Sequence, residues 1–201
     1  MQSLFNKMNF PHQIGDYAKT YRNFRLNVPQ RYNWTYEVFD KWGTDPNKVA
    51  MVWVSHDGIT REITFREFGR RSRKVANAFS GLGARSGDKI FVMLPRLVEW
   101  WEVLLGCMRT GLVPVPGTTL LTTKDIEYRI NASGSSIAVV DLDNLDKLES
   151  VRDDCPSLKH VVVIGESSNP CNYEKLLSAA SSKLRNPLNM SSDPLILYFT
   201  S

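Results

Sequence analysis

The sequence predicts an α/β fold: a mostly parallel sheet with helices on both faces, preceded by an N-terminal helix and a β-hairpin. Three observations carry this. Short runs that are apolar almost throughout, Lys89–Leu94, Val113–Val115, Ile137–Asp141 and His160–Ile164, recur along the chain, and strands of that kind are buried on both faces. Between them lie segments whose apolar residues recur at helical spacing, the alternation expected of parallel strands joined by helices. The composition, 42% hydrophobic and 23% charged over 201 residues, is ordinary globular usage and argues against disorder, collagen-like sequence and coiled coil. A chain this long buries roughly 70% of its unfolded surface, enough for one large or two small stable domains.

The elements run in order along the chain. Trp34 to Trp42 carries apolar residues at 34, 38, 39 and 42, a helical spacing. Val49–Ser55 and Ile59–Thr64 flank His56-Asp57-Gly58, a hairpin signal because Asp-Gly suits the tight turn. Thr64-Phe-Arg-Glu67 reads as a capping box that opens a helix. Phe65, Phe68, Val75, Ala76, Phe79 and Leu82 form its apolar stripe, and Arg66, Arg70, Arg71, Arg73 and Lys74 are expected on a solvated face. No aromatic interleaves with these cations, and the net charge is only +4, so a nucleic-acid partner is not expected.

Gly81, Gly83 and Gly87 follow a helix and precede a strand. A dinucleotide-binding loop needs the reverse order, so they are read as a helix cap and turn. Pro95 stops the strand at Leu94, Val98–Thr110 forms an apolar helix, and Gly111 ends it. Thr122 is the N-cap of a helix carrying Ile126, Tyr128 and Ile130; further helices are expected over Leu145–Asp154, closed by Cys155-Pro156, and over Tyr173–Ala180. After a linker from Ser181 to Asp193, Leu195–Phe199 reads as a buried strand leading into Thr200-Ser201. Ligands of such sheets bind at the carboxyl ends of strands, which makes Thr200 and Ser201 candidates for the start of a phosphate-gripping loop.

Other chemistry is sparse. Cys107, Cys155 and Cys171 and the three histidines, His12, His56 and His160, are scattered, without disulfide or metal-ligand spacing, so no metal site is expected. Cys107, Trp100 and Trp101 are read as packing residues and Arg96 as an exposed arginine. No apolar stretch approaches the ~18 residues that span a bilayer. Met1–Gly15 lacks a signal core. A cytoplasmic location is expected, with the mitochondrial matrix as the alternative.

Several segments together resemble the adenylate-forming superfamily, in particular its medium-chain acyl-CoA synthetase branch. Phe24–Trp42 is similar to that branch's opening segment, Ile63-Thr-Phe-Arg-Glu-Phe68 to the superfamily's first core motif, and Met93–Gly111 with Val113–Thr118 to its second. Tyr198-Phe-Thr-Ser201 is similar to the start of the third, which continues in the family as a Gly/Thr-rich loop ending in Pro-Lys. The 93–118 block is the most specific piece.

The resemblance implies the N-terminal subdomain of the adenylate-forming fold. It divides the chain into an N-terminal extension over 1–30 and an incomplete subdomain over 31–201, cut at the start of the phosphate loop. It also implies an ATP-dependent acid-CoA ligase in the parent protein, acting on a medium-chain fatty acid with ATP, Mg²⁺ and coenzyme A. Its partners would be those small molecules, with a homo-oligomer left open. Thr200 and Ser201 match the first nucleotide-binding positions. Gly117, Thr118, Thr119 and Leu120 lie where the branch approaches its acyl or nucleotide pocket. No catalytic residue is expected within the segment, which alone should be inactive. The alternative is a catalytically dead α/β module that binds a partner through its terminal strand.

Overall fold

The computed structural model describes residues 16–166, 171–184 and 189–200. Helix α1 (Tyr17–Asn23) buries none of its residues. A π-helical turn (Thr35–Phe39) runs into the short helix α2 (Asp40–Trp42), so the helix read from Trp34 to Trp42 is present, with its first part in the wider π-helical winding. The hairpin β1 (Val49–Val54) and β2 (Thr60–Thr64) is antiparallel. Gly58 takes φ +78° in its turn, a conformation that costs glycine nothing.

Helix α3 (Phe65–Gly81) starts where the Thr64 hydroxyl accepts from the Glu67 amide at 3.1 Å. Thr64 is also the last residue of β2, and only this half of the expected capping box forms. Then come β3 (Lys89–Met93), α4 (Val98–Thr110), β4 (Val113–Gly117), α5 (Thr123–Ser133), β5 (Ile137–Asp141) and α6 (Leu142–Glu149). A 3₁₀ turn (Arg152–Asp154), β6 (His160–Ile164) and α7 (Tyr173–Ala179) complete the order. The helix expected over Leu145–Asp154 instead begins directly at the end of β5, where Asn144 Nδ2 donates to Asp141 Oδ1 at 2.7 Å. At Thr122 both halves of a capping box form with Asp125.

The four parallel strands lie in the order β4-β3-β5-β6. Alternate residues of each strand face opposite helical layers. Ile90 and Val92 join Val75, Phe79, Val103, Cys107 and Leu177 beneath α3, α4 and α7. Phe91 and Met93 join Ile126, Ile130, Val140 and Leu148 beneath α5 and α6. Each such buried side chain contributes about 1.5–3 kcal/mol. A smaller cluster of Phe39, Ile63, Phe68, Val98 and Leu105 seats the hairpin on α3 and α4.

Helices α3 and α4 cross at Gly106. A Cβ there would stand 2.6 Å from Val75 Cγ1 and 3.2 Å from the Ser72 carbonyl. The first atom can move; the backbone carbonyl cannot follow freely in so dense an interior. Gly106→Ala is therefore expected to lower stability by about 1–3 kcal/mol in urea unfolding, despite alanine's better helix propensity. A neutral or stabilising result would show that the crossing is looser than these distances imply.

The basic side of α3 is solvated only in part: Arg66 and Arg70 are exposed, whereas Arg71, Arg73 and Lys74 are half-buried. Arg71 pairs with Glu102 and Glu174, and Arg73 donates to Asp40 Oδ1 at 3.4 Å and the Ser182 carbonyl at 3.1 Å. Lys74 Nζ donates to the Leu177 carbonyl at 2.7 Å, and Arg66 to those of Gly43 and Thr44. These cations bind the termini and carboxylates of neighbouring elements, because α7 and α2 deliver carbonyls and carboxylates to that side of α3. This corrects the expected solvated face for Arg71, Arg73 and Lys74.

Candidate functional site at the carboxyl end of the sheet

The strand order makes the chain leave β3 for β4 and then return past β3 to β5. The direction of winding thus reverses between β3 and β5, and crevices at the carboxyl ends of strands form at such points. Gly117 ends β4 opposite Met93 of β3. A side chain on Gly117 would meet Leu121 Cδ1 at 2.8 Å and the Phe91 ring at 3.1 Å, so close packing explains this glycine. The turn after it is built from its own polar atoms. The Leu121 amide donates to the Thr118 carbonyl at 3.2 Å, and the Leu120 amide to Thr118 Oγ1 at 3.3 Å. Lys147 Nζ of α6 donates to the Thr119 carbonyl at 3.0 Å. Leu121 is buried beneath, whereas Leu120 is 86% exposed at the tip, Thr118 is exposed and Thr119 is half-buried.

The expected strand Leu195–Phe199 is not a regular strand. Asn189 lies against Gly111, before β4 begins, and the Leu197 amide donates to the Pro114 carbonyl at 3.0 Å. The segment thus travels in the direction of β4, as a parallel neighbour would, but makes only that backbone bond to it among the described residues. The reason lies in β4. Val113 N–H points to β3, donating to the Asp88 carbonyl at 2.9 Å, so the alternate residues Pro114 and Pro116 present the outer edge. Neither carries an N–H, and an edge without donors cannot build a ladder. Nor is the segment fully buried: Leu195 and Tyr198 are 52% and 62% exposed. Leu197 and Phe199 do pack on the core beneath α5. The Phe199 ring lies 5.8 Å from that of Tyr128, with the Arg129 guanidinium 5.0 Å from its centre.

This geometry directs Thr200, which is exposed, toward the end of the sheet where Gly117–Leu120 forms its turn. Ser201 lies outside the described residues. On the far side of that end, a crevice of about 820 Å³ opens beyond β5 and β6. Glu99, Asp141, Asp143, Glu166 and Glu174 line it, against Arg61 and Lys175. That side repels phosphate, whereas the β4 side offers hydroxyls and the Lys147 ammonium. Among the described residues no group of three or more His, Cys, Asp or Glu is placed to hold a metal ion. No helix among them is long and apolar enough to cross a membrane.

Trp100 and Trp101 meet edge to face, with ring centres 4.7 Å apart. Trp100 packs on the core beneath α4. Trp101, with Trp34, Met51, Phe65, Met108 and Leu195, borders an apolar cleft of about 460 Å³. Arg96 is exposed, and its carbonyl accepts from Trp53 Nε1 at 2.8 Å. Cys107 is fully buried, and burial pushes its thiol up, which suits a packing residue.

Sequence reasoning missed the buried ionic groups. Arg109 has no exposed surface and donates to Ser72 Oγ at 2.8 Å and to both carboxylate oxygens of Asp40 at 2.9 and 2.6 Å. Glu102, 2% exposed, accepts from Arg71 and, at 2.7 Å, from the Tyr173 hydroxyl. Both sit on α4 seven residues apart among apolar neighbours. A charged pair at that spacing in an otherwise apolar helix was the available signal.

Comparison with known proteins agrees with this architecture. The family described as AMP-binding enzyme matches residues 38–201. The chain is 38% identical over 186 residues to the human protein named acyl-coenzyme A synthetase ACSM5, mitochondrial, covering 88% of this chain and 32% of that one. It is 36% identical over 185 residues to the human acyl-coenzyme A synthetase ACSM1, mitochondrial, with 87% and 32% covered. It spans about a third of the length of these curated relatives. Among solved structures, a Brucella canis acyl-CoA synthetase superposes with TM-score 0.78 at 29% identity, over 92% of this chain and 34% of that one. The anthranilate CoA ligase AuaEII in complex with anthranoyl-AMP gives TM-score 0.71 at 25% identity, over 83% and 31%. The match over residues 38–201, together with 38% identity over 88% of the chain, places this chain in the AMP-binding enzyme family.

Proposed function

We propose that residues 31–201 are the N-terminal part of an ATP-dependent acid-CoA ligase acting on medium-chain fatty acids, with 1–30 as an extension. The observation that carries this is the direction of the terminal segment, which leads Thr200 along β4 toward the open end of the sheet, in a chain whose relatives are named acyl-coenzyme A synthetases. At the junction with the extension, the carbonyls of Pro29 and Gln30 accept from Ser191 of that segment.

The reaction would run in two steps. A carboxylate oxygen attacks the α-phosphorus of ATP, forming acyl-adenylate as pyrophosphate leaves. The thiol of coenzyme A then attacks the acyl carbon, forming the thioester as AMP leaves. A free carboxylate is a poor electrophile, and attachment to phosphate turns its oxygen into a leaving group. Positioning and charge neutralisation lower both barriers. The residues here fit the edge of such a site. Thr200 and Thr118 offer hydroxyls to phosphate oxygens, while Lys147 holds the turn between them. They do not neutralise a triphosphate alone, so Mg²⁺ and further cations would come from outside these residues. The mitochondrial location in the relatives' names favours the matrix over the cytoplasm for this protein.

The test is acid-dependent exchange of pyrophosphate into ATP. Exchange is expected from a protein that continues this sequence to the length of the relatives, and not from the 201-residue chain. In that longer protein Thr200→Ala should lower exchange about 10²-fold, as loss of one preorganised donor does, and Thr200→Ser should restore most of it. An unaffected Thr200→Ala would sink the assignment of Thr200, exchange by the 201-residue chain would overturn its expected inactivity, and a longer protein without exchange would leave a partner-binding module without catalysis to account for the fold.

A further inference from the structure

Residues from both ends of the described chain meet over the C-terminus of α4. Asn33 Nδ2 donates to the Met108 carbonyl at 2.8 Å and to Asn189 Oδ1 at 3.1 Å. Met108 is in the last turn of α4, where carbonyls lack helical donors. Asn33 Oδ1 meanwhile accepts from the amide of Thr35 at 3.1 Å and from its hydroxyl. One side chain therefore joins the end of α4, the start of the π-helical turn and residue 189. Backbone pairing extends the join. The Tyr32 amide donates to the Asn189 carbonyl at 3.3 Å, the Ser191 amide to the Gln30 carbonyl at 3.1 Å, and Arg31 pairs antiparallel with Met190. Gly111, at φ +71°, leaves room for this: a Cβ there would reach 2.4 Å from Asn189 Nδ2.

The join matters because β4 cannot set the register of residues 189–200. Its prolines leave one backbone bond, from Leu197 to Pro114, along the segment that leads to Thr200. A slip of one residue would turn Leu197 and Phe199 away from the core and reverse every side chain after them. Something other than a ladder has to fix the register, and the fixed points upstream are Asn189 to Ser191, of which Asn189 is the one that a side chain ties to the end of α4. We propose that Asn33 is a positioning residue: by holding Asn189 to the C-terminus of α4, it sets the register of residues 189–200 and thus where Thr200 stands. The consequence for catalysis rests on the ligase reading; the register itself does not.

Asn33→Asp separates the two roles of the side chain. It keeps an oxygen for Thr35 but replaces the donor facing Met108 and Asn189 by a second oxygen. Amide hydrogen exchange of the 201-residue chain should show the Leu197 amide exchanging at least about tenfold faster, with Val92 and Val139 in the central strands unchanged, as expected for local rather than global opening. Asn189→Ala, which leaves Asn33 capping α4, should give the same pattern and serves if Asn33→Asp does not fold. An unchanged Leu197 amide, or equal acceleration at all three amides, overturns the proposal. In the longer protein, Asn33→Asp should lower kcat/KM for ATP about tenfold, in the direction of Thr200→Ala, while KM for the acid stays within about twofold. A wild type without pyrophosphate exchange removes the ligase reading, and the Leu197 amide still decides the register.

Discussion

Arg109→Ala is expected to lower the unfolding free energy by about 3–5 kcal/mol, the range for breaking a buried ion pair by removing one partner. The guanidinium has no exposed surface and divides its donors between two elements, bidentate on Asp40 and singly on Ser72. It also lies 5.3 Å from the centre of the Tyr36 ring. Removal would leave the Asp40 carboxylate, about a quarter exposed, with only the longer 3.4 Å contact to Arg73. Arg109→Lys should recover little, because an ammonium cannot span both carboxylate oxygens and Ser72 together. The double variant Arg109→Met with Asp40→Leu should be more stable than Arg109→Ala, since it removes both charges and refills the volume. Urea unfolding of the three variants decides the matter. A loss under about 1 kcal/mol for Arg109→Ala would mean that the pair contributes no more than an exposed one.

This pair also shows where the sequence was legible. The strands β3, β5 and β6 could be placed within a residue because a strand buried on both faces has little choice but to be apolar throughout. The end of α4 was visible in Gly111, which takes φ +71° where other residues would be strained. By contrast, Asp40 and Arg109 are 69 residues apart and Glu102 and Tyr173 are 71 apart. Periodicity reports which side of a helix is apolar, not what arrives from a distant segment to meet its polar residues. The same limit hid the fate of the α3 cations, since their partners on α2, α4 and α7 are contributed by tertiary packing. The terminal segment failed for a different reason. Leu195–Phe199 has the composition of a buried strand, but the edge offered to it carries Pro114 and Pro116, and composition is blind to the neighbour's missing donors. Within the site, Gly117 reads as a turn from sequence and proves to be required by the Phe91 ring, while Thr118, Thr119 and Leu120 remain turn residues whose chemistry is a proposal.

Glu102→Ala is expected to cost about 3 kcal/mol, the low end of the range for a broken buried pair because Arg71 would keep Glu174. It would also leave the buried Tyr173 hydroxyl without its 2.7 Å acceptor. Glu102→Gln, which keeps an acceptor for that hydroxyl, should cost less than half as much. The pH dependence gives an independent check. Burial pushes the Glu102 carboxyl above the usual carboxylate range, although hydrogen bonds from Arg71 and Tyr173 pull it back. An acid whose folded pKa is raised releases its proton later in the folded chain than in the unfolded one. Between the two values the folded state therefore binds more protons, and stability falls as pH rises. Glu102 adds stability at pH values below the unfolded carboxylate pKa and loses it as pH rises through the higher folded value. Glu102→Gln lacks that titration, so the gap between wild type and Glu102→Gln should narrow, or reverse, as pH increases across this interval. Chemical denaturation of both proteins from about pH 4 to 8 reads the difference directly. A gap that widened in the wild type's favour with rising pH would show that Arg71, not burial, sets the ionisation of Glu102.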